Sequence, residues 1–78
     1  MVYTLKTLKG KVYYYYGTGR MYLNETGSHV VAMNKARNES KNGESVNVYV
    51  QSDNAPLQMV RAYKNGKLEY VAEFIQTK

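Results

Sequence analysis

The dipeptide Asn65-Gly66 sits between two runs in which apolar and polar residues alternate. A type I′ turn needs positive φ at both central residues, and Asn and Gly tolerate it best. Its twist also matches that of the two strands it joins. Residues 57–64 and 67–75 are therefore predicted to form a β-hairpin. A two-residue turn places Tyr63 opposite Leu68, Arg61 opposite Tyr70 and Met59 opposite Ala72. Leu57 and Phe74 extend that face, which reads as the core side of the hairpin. The other face, with Lys64, Lys67, Glu69 and Glu73, is more polar.

A lone hairpin is marginal in water and needs further layers. Residues 44–51 read as another strand, with Val46, Val48 and Val50 alternating with Asn47, Tyr49 and Gln51. The turn-forming run 52–56 joins it to the hairpin. Upstream, Ser28 is a suitable N-cap for a helix over 29–41, and Gly43 a suitable left-handed cap after it. On that helix Val30, Ala32, Met33 and Ala36 share one side, opposite Asn34, Lys35 and Glu39. One short helix is unstable alone, so it is expected to pack on the valine face. The N-terminal part reads as three strands, over 2–8, 11–16 and 20–25, joined by Lys9-Gly10 and by Gly17-Thr18-Gly19. The expected fold is a single α+β domain, 1–78, in the order β-β-β-α-β-β-β. Its sheet is mostly antiparallel, with one helix on one face and the other face open.

Chemistry is constrained by what the chain lacks. It has no cysteine, one histidine (His29) and one aspartate (Asp53), the last two in unrelated segments. A nucleophile–histidine–acid set would need both, and nothing in the sequence brings them together. No spacing resembles a zinc site or a calcium loop, so no metal and no cofactor are expected. Gly17-Thr18-Gly19-Arg20 is followed by a strand pattern, whereas a phosphate cradle needs a helix start there. The Asn24-Glu25-Thr26 and Asn38-Glu39-Ser40 triplets are read as chance glycosylation matches. No run approaches the ~18 apolar residues of a membrane span, and no leader-like apolar segment opens the chain. The expected setting is the cytoplasm, and the expected role is not enzymatic.

Two features point to binding. The net charge is +5, from 11 Lys and Arg against 6 Asp and Glu, which favours polyanionic partners. Tyrosine is abundant, with nine residues against one phenylalanine and no tryptophan. Its ring packs while its hydroxyl stays wet, which suits a contact surface. The run Tyr13-Tyr14-Tyr15-Tyr16 places two rings on each face of a strand. If Tyr16 pairs with Arg20, then Tyr14, Tyr16, Arg20 and Tyr22 share one face. Tyr13, Tyr15, Met21 and Leu23 share the other, more apolar face, which is the better core candidate. The first set is the candidate platform for nucleic acid or a protein, with Lys9 and Lys11 supplying charge and Arg61 as a second candidate contact. The expected partner is nucleic acid or a protein–nucleic acid complex; the alternatives are a host protein blocked by an inhibitory phage or mobile-element accessory protein, and a second copy in a homodimer.

Overall fold

The computed structural model describes residues 2–5, 7–8, 10–18, 24–53 and 55–76. These form β1 (Val2–Tyr3), β2 (Tyr13–Gly17), β3 (Asn24–Thr26), α1 (His29–Ser40), β4 (Ser45–Ser52), β5 (Ala55–Lys64), β6 (Lys67–Val71) and β7 (Ile75–Gln76). The main sheet is antiparallel, in the spatial order β3-β2-β4-β5-β6, and α1 packs across one of its faces. The α+β reading therefore holds, with the helix between the first and second groups of strands.

The helix forms where its signals place it. Ser28 has extended backbone angles, and its side chain accepts a hydrogen bond from the Val31 N–H at 3.4 Å. Gly43 follows the helix with φ +91°, a conformation that favours glycine. Ala32, Ala36 and Ser40, spaced four apart, are all fully buried, so small side chains let the helix approach the sheet closely. They meet the valine face as expected, because Val46, Val48 and Val50 are buried in the same cluster. Val30, expected on the buried side, is exposed. The alanine stripe, not the larger valine, faces the sheet.

The hairpin turn is as read. Asn65 has φ 54° and Gly66 φ 75°, and Lys64 pairs with Lys67 and Tyr63 with Leu68. Beyond Tyr63 the pairing shifts, so that Ala62 faces Tyr70 and Arg61 faces Val71 rather than Tyr70. The pairing of β4 and β5 shifts too: Val48 faces Arg61, but Tyr49 faces Met59, leaving Val60 as an extra residue. An extra residue breaks the two-residue period of a strand. Val60 and Tyr63 are consequently both buried, whereas Leu57, Leu68, Tyr70 and Phe74 are exposed. The core face expected for this hairpin is thus corrected by irregularities of register, a further one of which lies between Val50 and Ser52.

The N-terminal strands also differ from expectation. β2 is flanked by β3 on one side and β4 on the other, so neither of its edges is free for residues 2–8. The chain start instead pairs with its end, Val2 with Gln76 and Tyr3 with Ile75, in a two-stranded ribbon. Ile75 is fully buried, and Leu5, Leu8 and Val12 pack against the core. Lys9 lies outside the described residues, and Gly10 takes φ +81°, with Asp53 packed where a Cβ would stand. Tyr16 pairs with Asn24 on β3, not with Arg20, and residues 19–23 lie outside the described residues.

One buried serine ties these parts together. Ser40 Oγ donates to the Arg37 carbonyl at 2.7 Å and accepts from the Gly66 N–H at 3.0 Å. It joins the helix end to the hairpin turn, 26 residues apart. Ser40→Ala strands that turn N–H and is expected to cost about 1–3 kcal/mol. Urea unfolding monitored by circular dichroism measures this. A loss below about 0.3 kcal/mol would show that the bond contributes nothing to the fold.

Candidate functional site

The tyrosines of β2 are sorted by what lies beside them in β4. Tyr14 pairs with Val50 and Tyr16 with Val48, and these positions face the helix. Tyr14 is only 3% exposed, with its ring centroid 5.8 Å from that of His29. Tyr16 is half-buried against the core. The expected platform of Tyr14 and Tyr16 is therefore core, and the expected core pair, Tyr13 and Tyr15, faces outward. The register slip between β2 and β3 is four residues, an even number, so it leaves odd and even positions on their own faces. The inversion comes from β4, whose valine face must meet the helix.

The outward face carries a row of rings. Tyr15 lies opposite Tyr49, and Tyr49 lies opposite Met59 on β5. Tyr13 faces Gln51 one step along, and the Tyr15 hydroxyl donates to Gln51 Oε1 at 3.4 Å. Tyr70 faces Ala62 at the β6 edge. Tyr13 and Tyr70 are exposed, and Tyr15 and Tyr49 are half-buried. Among the described residues no helix or second sheet covers this face.

Charge is placed at its ends. Lys11 is exposed and borders a shallow recess of about 310 Å³ with Tyr13, Tyr15, Gln51, Ser52 and Asp53. Its backbone N–H donates to Asp53 Oδ2 at 3.1 Å, which anchors the approach to β2. Lys64 and Lys67 face each other at the hairpin end, next to Ser45. Glu25 lies opposite Tyr15 on β3 and is the acidic neighbour of the row. Of the sequence candidates, Lys11 is thus beside the outward tyrosines, whereas Lys9, Arg20 and Tyr22 fall outside the described residues.

Arg61 belongs elsewhere. Its Nη1 donates to the carbonyls of Val60 at 2.7 Å and Ala72 at 3.1 Å, on the helix side of the sheet. It borders a cleft of about 800 Å³ between α1 and residues 72–74, together with Arg37, Tyr63 and Phe74. The Arg37 guanidinium sits 5.6 Å from the centre of the Tyr63 ring, within cation–π range. Arg61 pairs with Val71 and Tyr70 with Ala62, so the two expected to lie opposite each other do not.

Tyr49 and Tyr70 lie on the outward face but are not among the sequence candidates. The signal for Tyr49 was present, since it alternates with buried valines and so must point away from them. Among the described residues no group of three or more His, Cys, Asp or Glu could hold a metal ion, and no helix is long and apolar enough to cross a membrane. In comparisons with known proteins, the chain matches no family model, no curated protein and no solved structure.

Burial raises the pKa of Tyr14 above the ordinary tyrosine value, because the phenolate is poorly solvated there. The unfolded chain then loses this proton before the folded one does. The stabilising contribution is fully present below about pH 10 and is lost as pH rises through the higher folded pKa. Tyrosinate absorbance is expected to show a late-titrating ring, and Tyr14→Phe should remove it. If Tyr14→Phe instead removes absorbance from the ordinary tyrosine range and leaves the late phase, the ring is solvated after all.

Proposed function

We propose that this chain is a non-enzymatic binding module that holds single-stranded nucleic acid on its outward sheet face. The observation that carries the reading is the row formed by Tyr15, its partner Tyr49 and neighbouring Tyr13 on the face opposite the helix. Unpaired bases stack on such rings, largely regardless of sequence, because every base has a π-face. Lys11 at one end and Lys64 and Lys67 at the other suit phosphate contacts, and the net charge of +5 favours a polyanion. A strand running between these ends crosses the tyrosine row. The reading keeps the sheet platform and Lys11 from the sequence candidates, and it replaces Tyr14 and Tyr16 with Tyr13, Tyr15 and Tyr49.

Fluorescence anisotropy with a labelled pyrimidine oligonucleotide at low salt tests this. Tyr15→Ala and Tyr49→Ala are each expected to weaken binding about tenfold. Tyr14→Phe should leave it unchanged, and affinity should fall linearly on a log–log salt plot. No binding at about 50 µM protein would sink the reading. A dimer seen by light scattering and broken by Tyr49→Glu would reassign the face to self-association. Capture of a host protein that survives nuclease and high salt through the same tyrosines would reassign it to protein contact, the role of an inhibitory accessory protein.

A further inference from the structure

On the other side of the sheet, the cleft between α1 and residues 72–74 combines cationic and apolar groups in a way the tyrosine face does not. Its charged walls are Arg37, Arg61 and Glu73, with His29 at the helix start. Among the described residues neither guanidinium is paired with a carboxylate. Arg61 is nonetheless fixed in place. Its Nη1 is committed to the carbonyls of Val60 and Ala72, which leaves Nε and Nη2 to donate to something else. A guanidinium held in this way presents a ready fork for a carboxylate. Arg37, 5.6 Å from the centre of the Tyr63 ring, is the second cation of the same cleft.

The rest of the lining is apolar. Leu5, Val30, Met33 and Phe74 contribute to the walls. Val30 is 54% exposed and Phe74 61%, the largest exposures among the big apolar side chains described. Apolar side chains this exposed continue the greasy surface past the cleft mouth, which suits a chain crossing it better than a small enclosed ligand. A nucleic acid would set its phosphates against these apolar walls, a poor match.

We infer that this cleft docks an acidic peptide segment of a protein partner, with a carboxylate on Arg61 and Arg37 and apolar side chains against Val30, Met33 and Phe74. The proposal is independent of nucleic-acid binding, because it uses the opposite face and none of the same residues. If both hold, the domain bridges a nucleic acid and a protein.

The test is fluorescence anisotropy with two short labelled peptides. One is built of leucine, phenylalanine and glutamate, and the other carries lysine in place of each glutamate. The acidic peptide is expected to bind at tens of micromolar, and the basic one at least about tenfold more weakly. Arg37→Glu changes an exposed side chain and should weaken the acidic peptide about tenfold or more. Phe74→Ala alters no charge. It should weaken the peptide and leave oligonucleotide affinity within about twofold, while Tyr49→Ala should do the reverse. Equal binding of the two peptides overturns the proposal, as does indifference to Arg37→Glu. Absence of acidic-peptide binding at about 1 mM to protein that is folded by circular dichroism overturns it too. Binding of decanoate without binding of the peptide would assign the cleft to a small amphiphile and equally overturn it.

Discussion

The contact between the alanine side of α1 and the valine side of β4 organises the whole domain. Ala32, Ala36 and Ser40 present almost no side-chain bulk, and Val46, Val48 and Val50 offer a flat apolar ridge. Close packing of such surfaces removes water and gains dispersion contacts together. Once the helix occupies that face of β4, every strand bonded to β4 inherits an inside and an outside. Tyr14 and Tyr16 become inside because they lie next to Val50 and Val48. Tyr15 becomes outside because it lies next to Tyr49.

The irregularities of β5 adjust this frame without breaking it. Val60 is inserted where β4 has no counterpart, so Val60 and Arg61 lie together against Val48. Val60 is then buried in the core, and Arg61 is turned toward the cleft beside the helix. A regular strand would have put these neighbours on opposite faces. The same insertion frees Met59 to join the outward row beside Tyr49. One extra residue thereby contributes to both candidate surfaces. The buried hydroxyl of Ser40 adds a polar link of the same kind, since it joins two turns that hydrophobic contact alone would leave loosely oriented.

The two surfaces differ in chemistry as well as position. The outward face offers a row of tyrosine rings with lysines at its ends, where charge is mobile and well hydrated. The helix-side cleft offers guanidinium groups, one tethered by carbonyls and one lying on a ring, among exposed aliphatic side chains. A flat aromatic surface accepts flat partners, and a cleft with an oriented cation accepts a directed carboxylate. A domain of 78 residues has little interior to spare, so much of its apolar material is left at such surfaces.

The local signals in the sequence were sufficient for local structure. Ser28 and Gly43 bounded the helix, Asn65-Gly66 set the type I′ turn, and the alternation of Val46, Val48 and Val50 identified the strand that meets the helix. Those features depend on residues a few positions apart, and so does the α+β class they add up to. Which tyrosines meet solvent was not decided there. Judged by its own hairpin, the Tyr13–Tyr15 face was the more apolar and looked like core; judged by its neighbour β4, it is the outside. The loss of β1 from the main sheet has the same origin, since β3 and β4 occupy both edges of β2. The bulge at Val60 likewise depends on how β5 must bend to keep contact with β4 and the helix. The sequence by itself determined the helix and the turn. Only the tertiary structure decided which tyrosines face outward, because a face is defined by the strand bonded alongside, and here that strand lies thirty or more residues away.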